Sequence, residues 1–251
     1  SGSTLLLGVL LFTFQIYADF SAYSDIAIGS ARLMGFNLMQ NFAYPNFSRD
    51  PGEYWRRWHI SLSTWFKDYV YIPLGGSRTD KFSRIRNIII TFIISGLWHG
   101  ANWTFVAWGL LNGLYYIPLI LFDKVTKYKN VIAHNRTFPT SKEFFQMSIT
   151  FLLITLSRIF FRSPDIKSAF GYYNGILSWD FFSGPGLEYI GVGLLVIGFI
   201  ILEWSNREKA HPLEGVFLSR PIWVRWSVYY SILALIFVFY KEVNSFIYFQ
   251  F

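Results

Sequence analysis

Long apolar runs that alternate with compact charged clusters constrain this chain more than any other feature. A bilayer core is about 30 Å thick, so a helix needs roughly 20 residues to cross it. Apolar segments of about that length or slightly shorter recur at residues 5–28, 103–122, 145–161, 187–204 and 226–240. The pattern predicts an all-α fold, a polytopic transmembrane helical bundle. It excludes a disordered chain, a collagen and an ordinary cytosolic enzyme.

Composition agrees with a membrane protein. Only 15% of the residues are charged, against roughly 25% in a typical soluble domain, and 21% are aromatic, as expected where rings anchor at lipid–water interfaces. The net charge of +7 is more typical of basic cytoplasmic loops than of nucleic-acid binding. We therefore expect membrane lipid, and no nucleic acid, as a partner. The lack of cysteine excludes disulfides and cysteine nucleophiles.

Loop charges predict an orientation for the segments. Lys and Arg are frequent in residues 49–86, 123–142 and 205–225, whereas residues 162–186 contain only Arg162 and Lys167. By the positive-inside rule the three basic loops are cytoplasmic, and the loop at 162–186 lies outside. The spans at 145–161 and 187–204 then alternate in direction, which predicts a multi-pass membrane protein. We expect one membrane domain over residues 1–251, the C-terminal part of a longer chain.

Residues 87–122 must enter the membrane and return, because both of their flanks are predicted to be cytoplasmic. A continuous helix of about 36 residues would be about 54 Å long, too long for a single span. The break is predicted at residues 98–103, which places His99 roughly 20 Å from the entry side. The result is a broken or re-entrant helix pair. Glycines spaced for close helix approach lie on both sides of the break: Gly96, Gly100, Gly109 and Gly113.

Residues 51–71 are predicted to form an interfacial amphipathic helix. Asp50 is its expected N-cap, Pro51 its first residue, and Glu53 reaches back to complete a capping box. A basic, Trp-rich amphipathic helix lies in the interface plane instead of spanning. The apolar face consists of Trp55, Trp58, His59, Leu62, Trp65, Phe66 and Tyr69, and the polar face of Arg56, Arg57, Thr64, Lys67 and Asp68.

Two histidines are the first candidates for chemistry. His99 lies at membrane depth, where an ionisable side chain indicates a functional site, and its pKa range suits general-base work. Trp98 and Trp103 are expected to wall its pocket, and Asn102 to bond a carbonyl or orient the imidazole. A buried histidine that only bridges helices is the alternative. His59 is either a packed core histidine or a substrate-positioning group at the mouth of a cavity.

Two carboxylates interrupt the first apolar span. Asp19 and Asp25 lie six residues apart, about 240° around a helix, so they cannot form one pair. We expect them to make hydrogen bonds between helices inside the bundle, with Arg32 as an alternative carboxylate partner. Signatures of metalloproteases, serine hydrolases and nucleotide-binding loops are lacking, and the four histidines have no metal-ligand spacing. We therefore expect no metal site.

Several segments together resemble one family, the membrane-bound O-acyltransferases (MBOAT). They follow in family order as D-F-S-A-Y-S-D-I-A-I-G (19–29), Y-W-R-R-W-H-I-S-L-S (54–63), Y-I-P-L-G-G-S-R (71–78) and G-L-W-H-G-A-N-W (96–103), and residues 246–251 resemble the family's C-terminus. The third and fourth segments are most similar to the alginate O-acetyltransferase branch. The D-alanyl transfer branch shares the R-R-W-H and W-H-G motifs and is the nearest competitor.

The resemblance implies an enzyme that acts on hydroxyl groups. It implies His99 as the catalytic histidine and His59 as the second motif histidine of an active-site tunnel. Acetyl-CoA would be the cytoplasmic acyl donor, with no tightly bound cofactor. An extracytoplasmic polysaccharide would be the acceptor, reached through an acetyltransferase or esterase-like partner. The residues expected to line or support the tunnel are Trp98, Asn102, Trp103, Arg56, Arg57, Trp58 and Asp25.

Two other classes remain open at this level. A non-enzymatic transporter also has broken helices and intramembrane ionisable groups, although it has no general need for the R-R-W-H helix. An acyltransferase that modifies lipid or protein hydroxyls would carry the same motifs as one that modifies sugars. The basic face at residues 51–71 is suited to anionic lipid or to the phosphates of coenzyme A, and we favour lipid.

Overall fold

The structure is a computed structural model that describes residues 1–125, 127–178, 184, 189–214 and 220–239. The regular elements of these residues are helical, which confirms the all-α prediction. Ser1–Gly193 form one compact unit and Leu194–Phe251 another. The C-terminal motif at 246–251 and the ends of two predicted spans, at 187–188 and 240, lie outside the described residues.

The first unit contains seven helices in the part that the structure describes. They are α1 (Gly2–Leu33), α2 (Pro51–Arg57), α3 (Ile60–Phe66), α4 (Lys81–His99), α5 (Trp103–Leu121), α6 (Ser141–Arg162) and α7 (Ile166–Ile176). A short 3₁₀ helix at Pro45–Phe47 precedes α2, and a π-helical turn at Lys67–Tyr71 follows α3. By length and apolar composition α1, α5 and α6 are candidate membrane spans.

Two shorter apolar helices come later in the chain. They are α8 (Ile190–Ser205) and α9 (Ile222–Phe239), and they coincide with the predicted segments at 187–204 and 226–240. The predicted loop at 162–186 is wrong in one respect, because it contains α7. The start of α7 has a local explanation: Asp165 is its N-cap and accepts a hydrogen bond from the backbone N–H of Ser168 at 2.7 Å, which satisfies one of the unpaired donors of a first turn.

Helix α1 extends beyond the predicted 5–28 at both ends. Its 32 residues correspond to about 48 Å. The helix ends at Leu33 because the chain turns into the left-handed region at Gly35, with φ +85°. There the N–H of Phe36 bonds the carbonyl of Ala31 at 2.9 Å, and the N–H of Gly35 bonds that of Arg32 at 3.0 Å. These are the bonds of a Schellman motif, for which glycine is preferred.

Helices α4 and α5 form an antiparallel hairpin with a break at residues 100–102. Contacts run along its whole length, from a Lys81–Asp123 ion pair of 2.7 Å at the open end to the turn after His99. Two glycines allow the helices to touch: a Cβ added at Gly96 would collide with the carbonyl of Phe105, and one at Gly109 with the carbonyl of Phe92. The structure thus confirms the predicted break and the role of these glycines.

We expect Gly109→Ala to destabilise the hairpin by about 1–3 kcal/mol, the range for overpacked interiors. The added methyl group meets backbone, which cannot rotate away, so the two helices must separate. Thermal unfolding of the purified protein in detergent measures the effect. Gly171→Ala is the matched control, because a Cβ there meets nothing within 4 Å, and it should be neutral or stabilising. Equal behaviour of the two variants would contradict the close packing of α4 on α5.

The predicted continuous helix at 51–71 is wrong: the chain breaks between α2 and α3, where His59 has φ +43°. Backbone groups that would make helical hydrogen bonds here bond instead to residues 41–43, which precede α2. The N–H of Ile60 bonds the carbonyl of Asn41 at 3.0 Å, and the carbonyl of Arg57 accepts the N–H of Ala43 at 3.0 Å. Because these groups are engaged across the chain, the helix cannot continue through His59.

The start of α2 matches the prediction in part. Asp50 is the N-cap and accepts the N–H of Glu53 at 2.7 Å, with Pro51 as the first helical residue. The capping box differs from the prediction, since the Glu53 carboxylate accepts the N–H of Arg49 at 2.8 Å instead of that of Asp50. The Arg49 guanidinium bonds the same carboxylate, which explains why Glu53 reaches one residue further back.

Candidate functional site

His99, the last residue of α4, lies in a cage of aromatic rings. Its ring centroid is 4.9 Å from that of Trp98, 5.4 Å from Trp108, 4.9 Å from Phe161 and 6.2 Å from Phe105. These rings belong to α4, α5 and α6, so three helices converge on the imidazole. The imidazole therefore has largely apolar neighbours, although His99 is only partly buried.

His59 lies on the turn between α2 and α3, packed edge-on against Phe20 at 4.6 Å between ring centroids. Burial lowers the pKa of His59 to about 4, because desolvation disfavours the charged form. The ring is therefore neutral near pH 7. The imidazoles of His59 and His99 are near enough to interact electrostatically. The structure thus brings together the two histidines that were singled out from the sequence.

The three other predicted residues around the α4–α5 turn have different surroundings. Trp98 contacts His99 but is 55% exposed, and Trp103 is 76% exposed at the start of α5. The wall that was predicted from Trp98 and Trp103 is formed by Trp98 with Phe105, Trp108 and Phe161. Asn102 bonds a carbonyl, as one alternative predicted: its Nδ2 donates to Pro164 O at 2.8 Å, while its Oδ1 caps α5.

The arginines of the R-R-W-H motif bind protein groups. Arg56 donates to the carbonyls of Val125 and Tyr128 at 2.6 and 3.1 Å. Arg57 donates to the Glu53 carboxylate at 3.0 and 3.1 Å and to the carbonyl of Ala43 at 3.1 Å. Both side chains therefore support the loops around α2.

The α1 carboxylates do not lie inside the bundle. The side chains of Asp19 and Asp25 are both exposed in the described part of the chain, so neither carboxylate lies on a buried helix face. The buried polar side chains of this helix are Thr13 and Ser24, and Ser24 accepts a hydrogen bond from Asn41 Nδ2 at 3.5 Å.

Arg158 is a buried residue that belongs to none of the motifs described above. Its guanidinium donates to Thr13 O at 2.9 Å and to the Tyr54 hydroxyl at 2.7 Å, and it lies over the ring of Trp58 at 4.7 Å. It joins α1, α2 and α6 just before Phe161, which contacts His99. The signal was present, because an arginine inside the apolar run 145–161 is costly in a membrane and indicates a specific role.

Glu53 is the centre of a buried ion-pair cluster beside α2. It is 1% exposed and binds Arg49 at 2.9 Å and Arg57 at 3.0 Å. Arg49 also lies 3.7 Å from Glu143 at the start of α6 and donates to the carbonyl of Asn130. A buried carboxylate with two arginines is compensated for the loss of hydration. The cluster fixes α2, and hence Trp58 and His59, relative to the rest of the unit.

Comparison with protein-family models identifies the family of the chain. Residues 1–161 match the model described as MBOAT, membrane-bound O-acyltransferase family. The matched region contains both histidines, the α4–α5 hairpin and α6 up to Phe161. The chain therefore belongs to the membrane-bound O-acyltransferase family, as its motifs predicted, and it is a membrane protein.

Curated relatives carry names of O-acylating enzymes. The chain is 39% identical over 215 residues to a "Probable alginate O-acetylase AlgI" of Pseudomonas aeruginosa, covering 83% of this chain and 39% of the relative. A "Peptidoglycan O-acetyltransferase" of Helicobacter pylori is 39% identical, over 67% of this chain and 30% of the relative. A "Teichoic acid D-alanyltransferase" of Streptococcus thermophilus is 36% identical, over 52% of this chain and 32% of the relative. The chain thus spans about two fifths or less of these relatives' length.

Proposed function

We propose that this chain forms the histidine-containing part of an O-acetyltransferase of the bacterial inner membrane. It would move an acetyl group from cytoplasmic acetyl-CoA toward a hydroxyl of an extracytoplasmic polysaccharide. The single observation that carries the proposal is the aromatic cage around His99, with His59 beside it, in a member of an O-acyltransferase family. The relatives named as O-acetylating enzymes support acetyl as the group transferred.

The cage suits general-base chemistry at His99. The imidazole takes the proton of the acceptor hydroxyl while that oxygen attacks the thioester carbonyl. The resulting tetrahedral intermediate collapses with cleavage of the C–S bond, and the proton passes from the imidazolium to the departing thiolate. The rings of Trp108 and Phe161 flank the imidazole, and their proposed role is to keep water from the thioester. In a relay variant the imidazole itself carries the acetyl group.

His59 is proposed to bind and orient the acyl donor or acceptor. Its neutral ring, held against Phe20, can accept a hydrogen bond without repelling an imidazolium formed at His99. An acetyltransferase or esterase-like protein outside the membrane is the proposed partner that passes the group to the polysaccharide. Membrane lipid surrounds the apolar helices.

The proposal is tested by the O-acetyl content of the exopolysaccharide, compared between the wild-type strain and one in which the gene is deleted. Loss of acetyl ester, restored by the gene on a plasmid, is the expected result. Unchanged acetyl content would contradict the proposal. D-alanyl transfer is the second candidate because of the teichoic acid D-alanyltransferase relatives, and D-alanyl ester on cell-wall polymers is measured in the same pair of strains.

A further inference from the structure

The turn that carries His59 is held by residues 41–43, which run alongside it. Backbone bonds join Ile60 to Asn41 and Ala43 to Arg57, one on each side of His59. His59 itself has φ +43°, a conformation that is unfavourable for residues with a Cβ. The neighbouring segment therefore maintains the conformation of the turn, and Asn41 adds side-chain bonds of its own.

The orientation of the Asn41 amide follows from its partners. The backbone N–H of Ser61 lies 3.2 Å from Asn41 Oδ1. A backbone N–H can only donate, so the atom facing it must be the amide oxygen and not the amide nitrogen. The Nδ2 group then points to Ser24 Oγ, at 3.5 Å, where it donates.

The direction of the Ser61 hydroxyl follows in turn. Ser61 Oγ lies 2.6 Å from Asn41 Oδ1, and a carbonyl oxygen only accepts, so the hydroxyl proton points to Asn41. The hydroxyl oxygen therefore has only lone pairs to offer its second neighbour, His59 Nδ1, at 3.4 Å. That nitrogen must be the donor.

We infer that Asn41 and Ser61 are positioning residues that fix the tautomer of His59, with the proton on Nδ1 and a lone pair on Nε2. Which ring nitrogen carries the proton is set by the hydrogen bond that the other makes. The Nε2 atom can then accept a proton or hydrogen bond from a substrate hydroxyl. This role rests on the proposed function of His59, whereas the tautomer itself does not depend on that function.

The direct test is the nitrogen-15 spectrum of the protein labelled at its histidine rings, purified in detergent near pH 7, with His59→Gln used to assign the resonances. We expect His59 Nδ1 to be of the protonated type and Nε2 of the unprotonated type. Ser61→Ala removes the acceptor and should shift both resonances toward a mixture of tautomers. Asn41→Asp keeps the acceptor oxygen and should keep the Nδ1–H form.

Matched variants separate this role from a structural one. Ser63→Ala removes another partly buried hydroxyl of α3, which bonds Trp58 O at 3.1 Å, and should leave the His59 spectrum unchanged. Ser61→Thr retains the hydroxyl and should therefore give the wild-type spectrum of His59. A protonated Nε2 in the wild type, or an unchanged spectrum in Ser61→Ala, would overturn the inference.

Activity provides an independent readout. Ser61→Ala at the chromosomal locus should lower polysaccharide acetylation about three- to tenfold, the effect of one hydrogen bond of ordinary strength, and Ser61→Thr should restore it. If the Nδ1–H form is observed but acetylation is unaffected by Ser61→Ala, the positioning role is wrong. If no variant of the protein alters acetylation, the proposed function fails while the spectrum still decides the tautomer.

Discussion

Substitution of His99 by alanine is expected to lower O-acetylation of the exopolysaccharide by about 10²- to 10⁴-fold, the contribution of a well-placed general base. The rings of Trp108 and Phe161 that flank the imidazole contain no basic group that could replace it. Acetyl ester is measured in strains that carry each variant at the chromosomal locus, at equal amounts of the protein in the membrane. His99→Gln tests whether a polar group without basicity suffices, and we expect it to be inactive as well.

The control for this experiment is His134→Ala. His134 is exposed between α5 and α6, so its removal should leave acetylation unchanged. His59→Ala should reduce acetylation less completely than His99→Ala, because His59 is proposed to orient substrate and not to move its proton. Equal or reversed effects would overturn that ranking. Full activity of His99→Ala would leave His99 with a structural role only.

The second large effect is expected from Glu53→Gln, which should destabilise the protein by about 3–5 kcal/mol. An amide cannot balance the buried guanidinium groups of Arg49 and Arg57, and removal of one partner from a buried ion pair has a cost of this size. Because the cluster holds α2, we also expect loss of acetylation in parallel with loss of folded protein. Thermal unfolding in detergent measures the loss of stability, and the acetyl ester content of the exopolysaccharide measures the loss of acetylation.

Asp68→Asn provides a matched exchange of carboxylate for amide. Asp68 pairs with Lys67 at 3.2 Å, but their side chains are 45% and 56% exposed, and exposed pairs contribute about 0–1 kcal/mol. The free energy of unfolding of Asp68→Asn should therefore lie within about 1 kcal/mol of the wild-type value. A Glu53→Gln protein as stable as Asp68→Asn would show that the buried cluster is not what holds α2 in place.

The parts of the fold that were predicted correctly depend on local sequence. Apolar length predicted α1, α5 and α6 because a span of hydrocarbon has a fixed thickness. The break after His99 followed from charge on both flanks, and the glycine contacts followed from spacing along two adjacent helices. His99 was proposed as a site residue because ionisable groups are rare in apolar surroundings, and its role stays a prediction. Each of these arguments needs only a short stretch of chain.

What was missed depends on contacts between distant segments. The break at His59 arises because residues 41–43 take the hydrogen bonds that would have continued the helix, and periodicity within 51–71 contains no sign of that pairing. The partners of Arg56 lie about 70 residues further along the chain. Phe161 reaches His99 only because α6 packs on α5. Arg158 is different, because an arginine inside an apolar run is itself a local indication of a specific role.

The hairpin of α4 and α5 also has a consequence for biogenesis. Its two helices are neighbours in the chain, so most of its contacts form between residues synthesised within seconds of each other. Several backbone groups of its turn, such as the N–H groups of Gly100 and Asn102, make hydrogen bonds within the turn. These bonds reduce the free-energy cost of moving the groups from water into the bilayer. We therefore expect the pair to enter the membrane as a single preassembled unit, with His99 delivered at its tip.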